Sequence, residues 1–465
     1  MGTNDMTRRD FLKGARAPEQ ERPQAPAAKN TRMTMRRDAH GDAVSLLGYG
    51  MMRLPTVDGR HANGWAPGAS NDRIDQEMVN REVDYAIEHG VNYFDTSPAY
   101  CRGESETVTG IALSRHPRGS YKIATKLSNF APQTWPLEKG KQMFENSLKA
   151  LRTDYIDYYL LHSIGNGDKT MGNDGFRTFK ARYVDNGAID WLAEERKAGR
   201  IRNLGFSYHG DVRAFKWCMD NHGKYKWDFC QIQMNYVDWR HAKEVNKRNE
   251  NGEYLYGELE KRGIPVVVME PLLGGRLARF DKTLASFLKP LDPQATLAEW
   301  SFRFCGHWPR VMTCLSGMTE MQYVEENCRT FSPLRPLDGR ELAVLEAAAV
   351  AYLRGMTIPC TDCKYCMPCP YGIDIPGIFS VWNDACAHDR VPMEGRADFA
   401  ELRTDFLRGY EARIPQLRRC ERCVGCGVCA PHCPQSIKIP DEMVRLDGFI
   451  ENLRQSIARD GASED

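Results

Sequence analysis

Short apolar runs alternate with amphipathic stretches from about residue 42 to residue 330 of the chain. Eight runs are rich in Val, Ile, Tyr, Phe or Leu, a composition typical of strands that are buried on both faces. The predicted strands are Val44–Gly48, Asn92–Asp95, Lys122–Lys126, Ile156–Leu161, Ile201–Phe206, Phe229–Met234, Pro265–Met269 and Val311–Leu315. The stretches between them have helical periodicity, and several end at a glycine suited to a helix C-cap. Eight strand–helix units favour an α/β fold, a (β/α)8 TIM barrel.

An open sheet that binds a dinucleotide is the alternative α/β fold. That fold needs G-x-G-x-x-G between its first strand and helix. The early pair Gly48 and Gly50 is followed by Met51-Met52-Arg53, without the third glycine. The pattern therefore argues against a Rossmann domain. The segment Gly165–Gly187 is expected to form an expanded loop at the face where barrels have their active sites.

Composition excludes some classes of partner. The 465 residues include 63 Lys or Arg and 62 Asp or Glu, so the net charge is +1. This balance argues against nucleic acid or an anionic membrane as the main partner. The longest apolar run, Ala347–Leu353, is far shorter than the ~20 residues that span a bilayer.

The amino-terminal segment carries conflicting signals. Thr7–Lys13 (TRRDFLK) resembles a twin-arginine export signal, but charged and proline-rich sequence follows where an apolar segment is needed. We expect a disordered leader and a cytoplasmic protein, with export by the twin-arginine route as the alternative.

Four side chains suited to proton transfer follow successive predicted strands. Asp95, Lys126 and His162 end the second, third and fourth strands, and Tyr100 lies five residues beyond Asp95. These strand ends meet at one face of a barrel. A lysine can stabilise a phenolate, an aspartate can orient that lysine, and a histidine can hydrogen-bond a carbonyl oxygen beside the tyrosine. The set predicts acid–base chemistry on a carbonyl group.

Over about residues 34–330 the sequence resembles the aldo-keto reductase family. The matching motifs are FDTSPAY (Phe94–Tyr100), GESETVTGIAL (Gly103–Leu113), IATK (Ile123–Lys126), YIDYYLLH (Tyr155–His162), KAGRIRNLGFSYH (Lys197–His209), QIQMNY (Gln231–Tyr236) and GMTEMQYVEEN (Gly317–Asn327). The resemblance implies a (β/α)8 barrel that reduces aldehydes or ketones with a nicotinamide cofactor, usually NADPH.

The resemblance also implies roles for individual residues. The family's catalytic tetrad falls on Asp95, Tyr100, Lys126 and His162. Its positions for the nicotinamide carboxamide and the adenine fall on Ser207, Tyr208 (in place of Asn), Gln231, Glu326 and Asn327. Many members have a tyrosine that stacks on the nicotinamide just before Pro-Leu-Gly, where this chain reads Val268–Gly274 (VMEPLLG), and Met269 is the side chain that can pack there instead. Met318, Thr319 and Tyr323 stand where NADPH-specific members have basic residues. The choice between NADP and NAD therefore stays open.

Two bursts of cysteine follow the predicted barrel. The second has the bacterial ferredoxin spacing C-x2-C-x2-C-x3-C-P, and the first has x2 spacing throughout. The predicted ligands are Cys360, Cys363, Cys366 and Cys369 in the first burst and Cys423, Cys426, Cys429 and Cys433 in the second. A zinc site more often has two C-x2-C pairs separated by a dozen or more residues, so the spacing favours one or two [4Fe-4S] clusters.

The cysteines could be assigned to the clusters in two ways, which we call the crossed wiring and the local wiring. In the crossed wiring, Cys433 completes the first burst's set and Cys369 completes the second burst's set, as in two-cluster ferredoxins. In the local wiring, each burst holds its own cluster. The Cys366-x2-Cys369 step, which contains Pro368, favours the crossed wiring.

The predicted chain divides into five parts. These are a leader (1–33), the barrel (34–335), a helical connector (336–358), a small, mainly α-helical ferredoxin-like iron–sulfur domain (359–445) and a tail (446–465). The combination resembles an aldo-keto reductase subfamily with a C-terminal 4Fe-4S domain. We expect an NAD(P)H-dependent oxidoreductase that acts on a small carbonyl or alcohol and exchanges electrons with a redox partner protein. The alternatives are a carbonyl reductase whose cluster domain is structural or redox-sensing, and a regulatory protein on a barrel scaffold.

Overall fold

A short antiparallel hairpin precedes the barrel in the computed structural model, in which strand β1 (Met35–Arg37) pairs with β2 (Ala43–Ser45). The structure thus divides the single strand predicted at Val44–Gly48, because Ser45 Oγ donates a hydrogen bond to the Leu47 carbonyl at 2.7 Å and bends the chain there. The hairpin turn meets the barrel interior where the Tyr158 hydroxyl donates to Asp38 at 2.7 Å.

Eight parallel strands then close into a barrel in the order β10-β3-β4-β5-β6-β7-β8-β9. The strands are β3 (Leu47–Gly50), β4 (Tyr93–Asp95), β5 (Lys122–Leu127), β6 (Ile156–Ile164), β7 (Ile201–Tyr208), β8 (Phe229–Gln233), β9 (Val266–Met269) and β10 (Val311–Ser316). Each coincides with a predicted strand to within a few residues. The eight-stranded barrel predicted from the sequence is confirmed.

Helices follow the strands around the barrel, and several begin at a capping side chain. Asp75, Asp211 and Thr296 each accept a hydrogen bond from a backbone N–H in the first turn. The helices are α1 (Gln76–Glu88), α2 (Ser105–Leu113), α3 (Leu137–Ala150), α4 (Gly175–Phe179), α5 (Ala188–Lys197), α6 (Val212–Asp220), α7 (His222–Tyr225), α8 (Asp238–Val245), α9 (Gly252–Glu260), α10 (Lys282–Leu288), α11 (Leu297–His307), α12 (Met321–Thr330) and α13 (Gly339–Arg354).

The predicted expanded loop after β6 is partly helical. It contains α4 and, directly after it, the π-helix Lys180–Val184. Phe179 and Tyr183 are buried in the barrel's hydrophobic core, and this burial fixes the segment against the barrel.

The C-terminal region is helical and has a second hydrophobic core. Its helices are α14 (Ile375–Ala387), α15 (Phe399–Arg413) and α16 (Ile439–Gly461). The rings of Trp382, Phe406 and Phe449 meet edge to face, with centroids 5.0–6.3 Å apart. Helix α16 crosses the predicted boundary at 445, because Leu446, Ile450 and Leu453 recur at helical spacing and are buried in this core. The predicted tail therefore begins inside a helix.

The structure describes residues 32–63, 69–245, 248–279, 281–354, 357–388, 390–392 and 398–461. The twin-arginine-like segment lies outside these ranges. Within them, no helix is both long and apolar enough to cross a membrane.

Candidate active site

A buried ion pair lies at the carboxyl ends of β4 and β5. Lys126 Nζ donates to Asp95 Oδ1 at 2.6 Å and to the Thr96 carbonyl at 2.7 Å. The side chains of Lys126 and Asp95 are 0% and 3% exposed. Burial lowers the pKa of the Lys126 ammonium, and the charge of Asp95 opposes that change.

Tyr100 and His162 lie beside this pair. Lys126 Nζ is 4.8 Å from the centroid of the Tyr100 ring, which meets the His162 ring edge to face at 5.9 Å. The structure therefore brings all four residues of the predicted tetrad together. Burial raises the pKa of the Tyr100 phenol well above 10, so Tyr100 carries its proton at neutral pH.

Two serines contact one nitrogen of His162. Ser128 Oγ lies 2.6 Å from His162 Nδ1, and Ser97 Oγ lies 3.4 Å from the same atom. Burial lowers the pKa of the imidazole well below 6.5, and the positive charges of Lys126 and Arg182 lower it further. His162 is therefore neutral at pH 7.

A buried arginine and its neighbour hold the backbone of β6 at this point. Arg182 NH2 and the Tyr183 hydroxyl donate to the His162 carbonyl at 2.8 and 2.7 Å. Arg182 NH1 donates to the Ser163 carbonyl at 3.2 Å, and both NH2 and Nε donate to Asn129 Oδ1 at 3.3 Å. These acceptors are neutral, and the guanidinium is among the buried polar groups. Arg182 thus links the ends of β5 and β6 through its fixed fork of donors.

The predicted carboxamide positions lie opposite each other on neighbouring strands. Ser207 of β7 and Gln231 of β8 are register partners, and both are buried. Gln231 Nε2 approaches Met269 Sδ at 3.5 Å, whereas Gln231 Oε1 is buried without a hydrogen-bond partner. An unpaired buried amide oxygen is costly unless a ligand satisfies it.

The remaining predicted cofactor residues are more dispersed. Tyr208 follows Ser207 and packs its ring on Phe215 of α6, with its hydroxyl donating to the Gly210 carbonyl. Because neighbouring residues of a strand point to opposite sides, Tyr208 faces the helices while Ser207 faces the barrel. Asn327 of α12 donates to Ser316 Oγ at 3.0 Å, and Glu326 accepts from Gln322 at 3.0 Å.

Glu270 adds a negative charge that the sequence interpretation did not assign. It follows β9 with φ of 56°, a conformation uncommon for residues other than glycine. Asn235 Nδ2 donates to its carbonyl at 3.0 Å, which fixes the backbone there. The Glu270 carboxylate acts with burial and Asp95 to raise the pKa of Tyr100.

The cysteines fall into two groups that mix the bursts. Cys360, Cys363, Cys366 and Cys433 line one small, partly open cavity. Its other wall is apolar and includes Ile375, Phe379, Ile437 and Ile439. Burial raises the pKa of Cys429, and the nearby Cys369, Cys423 and Cys426 raise it further. In the part of the chain that the structure describes, no three His, Cys, Asp or Glu side chains are arranged to hold a single metal ion.

The first cysteine burst lies at the mouth of the barrel. A Cβ placed on Gly274 would be 3.6 Å from the Thr361 methyl group and 3.7 Å from Glu270 Oε2. Tyr365 is close enough to Tyr100 for its charge to raise the phenol's pKa. Lys169, in the segment after β6, lies 2.9 Å from His432 of the second burst. The tetrad and the first group of cysteines therefore share one face of the barrel.

Sequence reasoning identified the four tetrad residues and missed the side chains that position them. Ser97 was within reach, because it belongs to the motif that contains Asp95 and Tyr100. Ser128 and Arg182 gave no comparable signal, because their contacts depend on how distant segments fold together.

Known proteins resemble the barrel. The model of the Aldo/keto reductase family matches residues 47–349 and so ends before the cysteine bursts. The uncharacterized oxidoreductase YqkF of Bacillus subtilis is 38% identical over 278 residues, which are 57% of this chain and 85% of that protein. The probable aldo-keto reductase 1 of Glycine max is 31% identical over 162 residues, and these span 33% of this chain and 41% of that protein.

Solved structures agree on the fold. The holo form of aldo-keto reductase AKR11C1 from Bacillus halodurans is 24% identical and superposes with a TM-score of 0.53. The match covers 69% of this chain and 97% of that one. The family match, the YqkF relative and the closed barrel agree with one another. The chain belongs to the aldo/keto reductase family.

Proposed function

We propose that the barrel reduces an aldehyde or ketone with NADPH or NADH, and that Tyr100 is the general acid. This proposal rests on the proximity of Tyr100, Lys126 and His162 at the face of the barrel where the carboxyl ends of the strands lie. A carbonyl oxygen seated between the Tyr100 hydroxyl and the His162 ring would receive a proton from the phenol. Lys126 would stabilise the phenolate that results, and Asp95 holds Lys126 in place.

Neutral His162 supports the same assignment. In the tautomer in which Ser128 donates to Nδ1, the ring proton lies on Nε2, which can donate to a substrate oxygen. Because the imidazole carries no charge, it orients the carbonyl without competing with Tyr100 as the acid. Arg182, Ser128 and Ser97 are positioning residues in this account.

The residues of the barrel mouth fit a nicotinamide cofactor. Gln231 Oε1 is a buried acceptor without a partner, and a carboxamide N–H would satisfy it. Ser207 lies directly across from Gln231 on the next strand. A bound nicotinamide would supply the hydride. The adenine end would lie near Asn327 and Glu326. The Tyr208 ring packs on Phe215 on the helix side of the strand, so Tyr208 would contribute no side-chain contact to the nicotinamide.

The cysteines fit two [4Fe-4S] clusters wired across the bursts. Cys360, Cys363, Cys366 and Cys433 around one cavity are the set expected for the crossed wiring. A cube is bound through four separate iron atoms, so its ligands lie farther apart than those of a single ion. Each cluster would supply one-electron transfer. The domain limits at 335 and 358 and the cytoplasmic location belong to this proposal as well.

Anaerobic purification tests the barrel assignment and the cluster assignment in one experiment. We expect about four to eight iron atoms and as many sulfides per chain, and oxidation of NADPH or NADH when aldehydes and ketones are added one at a time. Iron without any carbonyl-dependent oxidation would contradict the barrel assignment. Reductase activity without iron or sulfide would contradict the cluster assignment.

A further inference from the structure

The stretch around the second cysteine burst exposes an unusual combination of apolar and basic side chains. Leu417, Val424 and Val428 are 69%, 61% and 51% exposed. Gly372 approaches the Leu417 carbonyl, which places the half-exposed Tyr371 at the same surface. Large side chains at this exposure, grouped together on one short stretch, are typical of a protein-binding surface.

The same stretch carries more cations than anions, although Arg413 and Arg419 lie 3.5 and 3.7 Å from Asp384 and Glu411 outside it. Residues 413–438 contain five Lys or Arg and one Asp or Glu, whereas the whole chain is almost balanced at +1. The one acidic residue of this stretch, Glu421, lies 3.8 Å from Arg454, which partly neutralises it. Arg418 and Arg422 are exposed and have no carboxylate partner within the described part of the chain. Two cations with no structural ion pair are available to a partner.

A predicted cluster ligand lies within this surface. Cys426 is exposed, whereas Cys429 and Cys433 are buried. Val424 and Val428 flank Cys426 on either side in the sequence. The apolar residues, the arginines and Cys426 all fall within Leu417–Val428, which we call the carrier face.

We propose that the carrier face docks a small acidic electron-carrier protein of the ferredoxin type. This inference rests on the proposed clusters. Arg418 and Arg422 would pair with carboxylates of the carrier, and Leu417, Val424 and Val428 would exclude water from the contact. One electron would pass from the reduced carrier to the cluster that Cys423, Cys426, Cys429 and Cys369 would hold. The carrier is oxidised by one electron, this protein is reduced by one electron, and no bond is made or broken.

The position of the carrier face explains why electrons would enter there. The first group of cysteines lies at the barrel mouth, beside Thr361 and Tyr365, where a carrier protein would compete with the substrate for space. The second group presents Cys426 to solvent. An electron entering at the carrier face would therefore reach the barrel side through the interior of the C-terminal region.

Binding of a purified acidic ferredoxin to the anaerobically purified full chain tests this proposal. We expect Arg418→Glu/Arg422→Glu to weaken the affinity by at least about tenfold at low ionic strength. We expect 0.5 M salt to weaken wild-type binding strongly, because charge pairs at a rim are screened. The control variant, Lys149→Glu/Arg310→Glu, makes the same change in net charge at two exposed positions of the barrel. It should bind ferredoxin as tightly as wild type does.

Two further measurements sharpen the result. A small neutral one-electron dye should reduce wild type and Arg418→Glu/Arg422→Glu equally fast, whereas reduced ferredoxin should reduce the variant at least about tenfold more slowly. Equal binding of ferredoxin by both proteins, or equal loss in the barrel control, would overturn the proposal. So would tight binding of a basic cytochrome c, or self-association of the chain through this face. Iron and sulfide content are measured on the same samples, so a chain without clusters counts against the proposed function and a loaded chain that ignores ferredoxin counts against the carrier face.

Discussion

Lys126 Nζ lies 2.6 Å from Asp95 Oδ1, and Asp95 Oδ2 is buried without a hydrogen-bond partner. The two side chains thus form one short hydrogen bond that is shielded from water, while the second carboxylate oxygen of Asp95 has no hydrogen-bond partner. Removing a single partner from such a pair leaves a buried charge, which costs more than the pair itself contributes.

Asp95→Asn should lower the free energy of unfolding by about 3–5 kcal/mol, because Lys126 loses its counter-charge. The double variant Asp95→Asn/Lys126→Met should recover much of that loss, because no buried charge is left unpaired. Carbonyl reduction should stay low in both. Urea unfolding and turnover on the same preparations check this, and a double variant less stable than Asp95→Asn would contradict the account.

Arg182→Met should change catalysis through His162. Its charge lowers the pKa of the imidazole, and its donors hold the His162 carbonyl. Without the cation, the pKa of His162 rises, so the acidic limb of the pH–kcat profile should move to higher pH and kcat should fall about tenfold or more. Arg182→Lys should restore the position of the acidic limb in part.

Arg177→Met is the matched control for Arg182, because Arg177 is exposed and lies on the neighbouring helix α4. Its pH profile should equal that of wild type. If kcat falls in Arg182→Met but the acidic limb of the pH–kcat profile does not shift, Arg182 has only a structural role.

Glu82 of α1 should make stability depend on pH. Burial raises the pKa of its carboxyl from 4.5 to about 7. Glu82 Oε2 lies 2.9 Å from the Tyr49 hydroxyl, which also lies 3.0 Å from the Met318 carbonyl. A protonated Glu82 can donate to Tyr49 while Tyr49 donates to Met318, which accounts for both contacts.

Because the folded pKa of Glu82 is raised, its contribution to stability is complete below pH 4.5 and is lost as the pH rises through about 7. Glu82→Gln keeps a donor at this place and has no charge to bury. The variant should therefore gain stability relative to wild type between pH 5 and pH 8. The urea midpoints of wild type and Glu82→Gln at pH 5 and pH 8 measure this. The same difference between the two proteins at both pH values would contradict the raised pKa.

Cys433→Ala tests the crossed wiring. Cys433 lines the same cavity as Cys360, Cys363 and Cys366, so its loss should damage the cluster that we propose for these residues. Cys369→Ala should damage the other cluster in the same way. Cys420→Ala is the control, because the Cys420 thiol contacts the Tyr410 hydroxyl at 3.2 Å and belongs to neither group. Iron loss confined to the second burst in Cys433→Ala, seen by spectroscopy, would favour the local wiring.

The barrel could be predicted from the sequence because its strands are buried on both faces and stand out as apolar runs. The clustering of Tyr100 with Asp95, Lys126 and His162 could be predicted because the last three residues end successive strands. Contacts between residues that are distant in the sequence could not be predicted, because no periodicity encodes them. Examples are the hydrogen bond from Arg182 to the His162 carbonyl and the approach of Thr361 to Gly274. Residues 446–465 were predicted as a tail, although Leu446, Ile450 and Leu453 recur at helical spacing, because the sequence does not show the distant residues of α14 and α15 that bury them.

The central claim is that Tyr100 delivers the proton to a carbonyl substrate, and Tyr100→Phe tests it most directly. Turnover of wild type and variant is compared on one carbonyl substrate, together with the dissociation constant of NADPH or NADH. The account predicts that reduction falls by ~10²-fold or more while cofactor binding is nearly unchanged, because the phenol donates its proton and leaves the cofactor's contacts to Ser207 and Gln231. Unchanged turnover in Tyr100→Phe would contradict it.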